Sequence, residues 1–134
     1  MSGVSGFRPA LLAPVGVTEL VEHLRAAGYS AELQGPADAE VTGIAMDSRK
    51  VIDGDLYVGV GGSHHHGADY AGTAADSGAR AVLTDDRGAA RMAADRVQLS
   101  AIVVDDVRGA LGAASSRIYR SDEPLDPFAG VALH

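Results

Sequence analysis

From Leu56 onward, short apolar runs alternate with segments of helical spacing, and this alternation constrains the chain more than any other feature. Residues 56–60, 80–84 and 101–104 read as strands, each apolar at consecutive positions and so suited to burial on both faces. Between them, 69–78 and 86–95 read as helices, with Asp69 as the cap of the first and Ala71, Ala74 and Ala75 small enough for close packing on a sheet. A last helix follows Asp105-Asp106, its Val107, Leu111, Ala114 and Ile118 falling on one stripe. Strand–helix–strand units of this kind wind right-handed into parallel sheets. The expected fold is α/β: a small parallel-rich, mixed sheet flanked by helices.

Ahead of this region, Thr18 opens a helix with Glu19 and Glu22 in its first turn, an apolar face of Leu20, Val21, Leu24 and Ala27, and Gly28 as its stop. Residues 41–46 then read as a strand, Asp47-Ser48-Arg49-Lys50 as its polar exit, and Asp53-Gly54 as a turn. Residues 1–16, broken by Pro9, Pro14 and Gly16, read as an irregular lead-in. The tail 121–134, with Pro124 and Pro127, reads as a linker, which leaves 17–120 as the folded domain.

Composition removes several function classes. With 18 acidic against 11 basic residues and a net charge of −7, and no basic run longer than Arg49-Lys50, nucleic-acid binding is disfavoured. The absence of cysteine excludes disulfides and thiolate metal sites. No apolar run approaches the ~20 residues of a membrane span, and the start lacks the pattern of a secretory signal, so a cytoplasmic protein without membrane contact is the simplest expectation.

Three segments are candidates for chemistry. The loop Gly61-Gly62-Ser63-His64-His65-His66-Gly67 follows a buried strand and precedes a helix, an arrangement in which main-chain N–H groups can meet an anion. The same spacing also suits a plain surface loop, since neither a dinucleotide fingerprint nor a P-loop is present. The three histidines invite a metal reading. We set it aside, because adjacent residues of an extended loop point to different sides and no Asp, Glu or further His completes a ligand set. Asp47-Ser48-Arg49 stands at a strand end, where open α/β sheets bind ligands. Its hydroxyl and guanidinium suit a diphosphate, and a capped turn with Arg49 paired to Asp47 or Asp53 is the alternative. No nucleophile–base pair emerges, and Ser115-Ser116 has no candidate base near it in sequence, so no catalytic residue is assigned.

Taken together, Asp47-Ser48-Arg49, Gly54-Asp55-Leu56-Tyr57, the glycines of 62–67 and Gly78-Ala79-Arg80-Ala81-Val82-Leu83 follow one another in an order that resembles the N-terminal domain of Mur ligases. The closest likeness is to the MurE type of high-GC Gram-positive bacteria, and it extends more weakly through Val103-Val104-Asp105-Asp106, Arg108, Leu111-Gly112 and Tyr119. The resemblance implies an N-terminal domain that holds the UDP part of UDP-N-acetylmuramoyl-L-alanyl-D-glutamate. In such a ligase a central domain, absent from this chain, uses ATP and magnesium to activate the D-glutamate carboxylate, and a C-terminal domain helps bind the incoming diamino acid, usually meso-diaminopimelate. Carried over, the UDP contacts fall on Ser48 with Asp47 and Arg49 beside it, and on Ser63, His64 and His65 around the uracil. Two departures stand out. Many relatives have Asp-Gly where this chain has His66-Gly67, and a Tyr-Gly-x-Pro is here Tyr119-Arg120-Ser121-Asp122-Glu123-Pro124. The alternatives are a MurF-type ligase, which shares the layout, and a stand-alone interaction domain of the same fold.

Overall fold

A computed structural model describes residues 13–62 and 64–119. Seven strands and four α-helices follow in the order β1 (Val15–Gly16), α1 (Val17–Ala26), β2 (Ala31–Gln34), β3 (Glu40–Val41), β4 (Gly43–Ala45), β5 (Asp55–Val58), α2 (Ala71–Asp76), β6 (Ala81–Thr84), α3 (Asp86–Ala94), β7 (Ser100–Val104) and α4 (Val107–Tyr119). Short 3-10 turns, Ser48–Lys50 and Gly67–Tyr70, follow β4 and precede α2. The main sheet runs β2-β7-β6-β5-β4. The pairs β4–β5, β5–β6 and β6–β7 are parallel, and β2 joins antiparallel to β7 at the far edge. The expected mixed, parallel-rich sheet is therefore present.

Side-chain alternation along the strands divides the interior into two layers. Leu56 and Val58, Ala81 and Leu83, and Ile102 and Val104 pack with Leu20 and Leu24 of α1 and Ala114 and Ile118 of α4. Tyr57, Val82, Ala101 and Val103 point the other way, onto Ala71 and Ala74 of α2 and Met92 of α3. Helices on both faces explain why the strands carry apolar residues at consecutive positions. Two helices stop where glycine was expected to stop them, at Gly28 (φ +100°) and Gly78 (φ +115°). There the amides of Tyr29 and Ala79 reach back to Leu24 and Ala74. None of the described helices is long and apolar enough to cross a membrane.

Four expectations need correction. The strand expected at 41–46 breaks at Thr42, whose amide bonds the Gly54 carbonyl (2.8 Å). Glu40–Val41 pairs with Val15–Gly16 in a separate antiparallel ribbon, while Gly43–Ala45 joins the main sheet. Val15 and Gly16 are thereby a strand rather than part of an irregular lead-in; residues 1–12 lie outside the described residues, as does the expected linker at 121–134. Ala31–Gln34 is a strand that the pattern did not announce, because only Ala31 of its four residues is buried and an edge strand needs no apolar run. Finally, the expected cap, Asp69, lies inside the first turn. His66 caps it, and Asp69 closes the capping box from the third position.

Candidate functional site

The carboxyl ends of β4, β5 and β6 come together on one side of the molecule, and the segments leaving them supply every candidate residue that the structure describes. β4 runs into Asp47, which caps the turn Ser48–Lys50 by accepting from the Arg49 amide (2.9 Å). The Arg49 guanidinium folds back onto the same carboxylate, with Nε donating to Oδ1 (3.0 Å) and Nη2 to Oδ2 (2.9 Å). These bonds hold the Asp47 carboxyl down at about 2, with the Arg49 side chain the main cause and its backbone amide the next. The capped-turn alternative is thus the local structure. It leaves the site intact, because Arg49 spends two of five N–H donors on Asp47 and its side chain stays 84% exposed.

Ser48 is buried beside them and lines a cleft of about 700 Å³ together with Met46, Asp47, Arg49, Tyr57, Gly67, Tyr70 and Thr73. Tyr57 and Gly67 form its floor, the phenol donating to the Gly67 carbonyl (2.8 Å). Burial, with Asp47 and Tyr70 nearby, raises the Tyr57 hydroxyl above its ordinary value, so it is a neutral donor at neutral pH. Met46 and Tyr70, 51% and 46% exposed, give the cleft an apolar rim in a region where most large apolar side chains are buried.

After β5 the chain makes a narrow excursion and returns. Gly61 bridges His66, the Gly62 amide donates to the His65 carbonyl (2.8 Å), and the Gly67 amide to the Val60 carbonyl (2.8 Å). The glycines are required by this crossing. A Cβ on Gly67 would stand 2.7 Å from Val60 N, and one on Gly59 2.8 Å from Ala68 N. His64 and His65 are exposed at the tip and do not line the cleft, while His66 turns inward and is fully buried. Its Nδ1 accepts from the Ala68 amide (3.0 Å) and its Nε2 meets Asp85 Oδ1 (2.8 Å). Ser63 lies outside the described residues.

The structure therefore gathers Asp47, Ser48 and Arg49 at one cleft and sets His64 and His65 on the loop that returns to it. Gly67 belongs to the glycine loop that the sequence offered as a candidate, whereas Met46, Tyr57, Tyr70 and Thr73 were not singled out as lining residues. A signal existed for Tyr57 alone: it follows Leu56 in a buried strand and so faces the opposite layer.

Comparison with known proteins places these features. The family model described as "Mur ligase family, catalytic domain" matches residues 40–119. Among curated relatives, the UDP-N-acetylmuramoyl-L-alanyl-D-glutamate--2,6-diaminopimelate ligase of Streptomyces avermitilis is 46% identical over 112 residues, 84% of this chain and 21% of that protein. The UDP-N-acetylmuramyl-tripeptide synthetase of Leifsonia xyli is 45% identical over 104 residues, 77% of this chain and 20% of that protein. The chain thus spans about a fifth of the length of these relatives. Among solved structures, the UDP-N-acetylmuramoylalanyl-D-glutamyl-2,6-diaminopimelate--D-alanyl-D-alanyl ligase of Acinetobacter baumannii superposes with a TM-score of 0.54 at 20% identity, covering 76% of this chain and 21% of that one, a likeness of fold. With the family model covering β3 through α4 and the motif order matching along the same stretch, the chain belongs to the Mur ligase family.

Proposed function

We propose that residues 17–120 form the domain that binds the UDP part of a UDP-N-acetylmuramoyl dipeptide for a ligase of the diaminopimelate-adding type. The observation that carries this reading is the cleft at the carboxyl ends of β4 and β5, where a buried hydroxyl, an exposed guanidinium and an apolar rim meet. Ligands of open α/β sheets bind at that end of the strands. A volume of about 700 Å³ falls within the ~300–1,000 Å³ usual for small-molecule sites. Ser48 donates to a phosphate oxygen and the remaining Arg49 donors pair with the diphosphate, while Asp47 orients Arg49. Ser63 and the exposed loop residues His64 and His65 contact the uracil.

The relatives' names support the wider reaction, addition of 2,6-diaminopimelate to UDP-N-acetylmuramoyl-L-alanyl-D-glutamate; we assign it to cytoplasmic peptidoglycan synthesis, with the meso isomer as the diamino acid.

 In that reaction ATP and magnesium activate the carboxylate. The residues of this chain do not fit those groups: the sequence has no Gly-Lys-Ser/Thr, and no group of three or more His, Asp or Glu among the described residues could hold a metal. No step is therefore assigned to them, and the role of this chain is to bind and orient. Binding energy collected far from the reacting carboxylate still raises the rate, because it positions that group.

Thermal unfolding of the chain with added nucleotide tests the reading. UDP at about 100 times its Kd raises stability by ~2.7 kcal/mol, whereas ADP at the same concentration does so far less. Equal effects of the two nucleotides, or none from either, would refute it.

A further inference from the structure

His66 is fully buried between the Ala68 amide and Asp85, and the geometry gives this imidazole a defined state. A backbone N–H can only donate, so the bond from the Ala68 amide requires a lone pair on Nδ1. The ring proton therefore sits on Nε2 and is donated to Asp85 Oδ1. The ring is clamped as well as bonded, since a Cβ on Gly88 would stand 2.7 Å from its Cε1.

One bond leads toward the cleft and the other to the elements behind it. Ala68 follows Gly67, whose carbonyl receives the Tyr57 hydroxyl on the cleft floor. Asp85 Oδ1 also accepts from the Gly88 amide (2.8 Å), in the first turn of α3. His66 thus joins the cleft floor to β6 and α3 without lining the cleft itself.

We propose that His66 is a positioning residue for nucleotide recognition: as a neutral, Nε2-protonated imidazole it fixes the Gly67 main chain in the cleft that Ser48 also lines and anchors it to Asp85. This rests on the UDP reading above. Two substitutions divide its bonds. In His66→Asn the side-chain oxygen can replace Nδ1 as acceptor for Ala68 but cannot reach Asp85. In His66→Gln the longer amide can replace Nε2 toward Asp85 but no longer caps the turn.

The experiment measures UDP affinity by calorimetry for the wild-type chain and both variants, at a temperature where circular dichroism shows each folded. Imidazole nitrogen NMR of the wild-type chain accompanies it. The expected result is one neutral tautomer with the proton on Nε2, and a Kd weakened by about tenfold in His66→Gln, the effect of one lost buried hydrogen bond. A smaller loss is expected in His66→Asn. Folded variants that bind UDP within twofold of wild type would overturn the inference while leaving the UDP reading intact, as would a ring protonated on Nδ1. A wild-type chain that binds no UDP would overturn both. If neither variant folds, the tautomer and the wild-type Gly67 and Ala68 amides decide: shifts on UDP addition support the inference, and unmoved amides refute it.

Discussion

The two ends of the main sheet both carry cavities, and their chemistry differs. At the carboxyl ends of β4 and β5, Ser48, Arg49 and Tyr57 meet Met46 and Tyr70 around a cleft of about 700 Å³. At the opposite end, a cavity of about 520 Å³ lies among Asp38, Glu40, Asp53, Arg80 and Ser100. Its single guanidinium is paired as that of Arg49 is, Arg80 donating to Asp53 Oδ1 (2.9 Å), but here two further carboxylates stand in the lining. The second set turns net negative charge toward any nucleoside diphosphate, whereas the first offers it a hydroxyl and free guanidinium donors. The difference follows from how strands end: chain leaving a parallel strand is free to form loops and caps around a ligand. At the other end, turns only bring the chain back into the sheet, as Gly54 and Gly78 do with amide and carbonyl joined (2.9 Å).

The comparison can be broken most strongly through the strands that both ends share. Leu83 is fully buried in β6, and Leu83→Ala is expected to cost ~2–5 kcal/mol in urea unfolding, weakening both ends together. A loss under about 1 kcal/mol would mean that β6 is not the core strand described here.

A sharper test alters one end at a time. Ser48→Ala removes a donor to a charged phosphate, worth about 1.5–3 kcal/mol, so UDP affinity should fall about tenfold or more by calorimetry. Arg80→Ala, at the opposite cavity, should leave it within about twofold, because that surface ion pair contributes at most ~1 kcal/mol to stability and does not face the nucleotide. Equal losses from the two substitutions would erase the distinction between the ends.

The smallest effect expected is acid sensitivity at Asp47. Its carboxyl is held at about 2 against an ordinary 3.8, so its ionised form favours the folded state. That contribution is complete above the ordinary value and is lost as pH falls through 3.8 toward about 2. Asp47→Asn should therefore flatten the stability-versus-pH curve within that window and leave its slope unchanged at neutral pH. A change of slope near pH 7 would contradict the assignment.

How much of this was legible in the sequence depended on whether a signal was local. Strands β5, β6 and β7 and helices α1, α3 and α4 announced themselves through apolar periodicity, and Gly28 and Gly78 marked helix ends because only a residue tolerant of positive φ fits there. Asp47-Ser48-Arg49 was legible as a strand exit, and its self-pairing as one alternative. What escaped depended on distant partners. Ala31–Gln34 is a strand only because β7 lies beside it, and the extended segment 41–46 breaks at Thr42 only because Gly54 takes its amide. His66 read as one of three similar histidines, yet a carboxylate 19 residues away makes it the buried one.

The most direct test of the central claim is amide chemical-shift mapping of the isotopically labelled chain during UDP titration. The account predicts saturable shifts at Ser48, Arg49, Tyr57, Gly67 and Tyr70, with Asp53, Arg80 and Leu99 unmoved. Shifts concentrated at the Asp53–Arg80 end, or none at millimolar UDP, would contradict it.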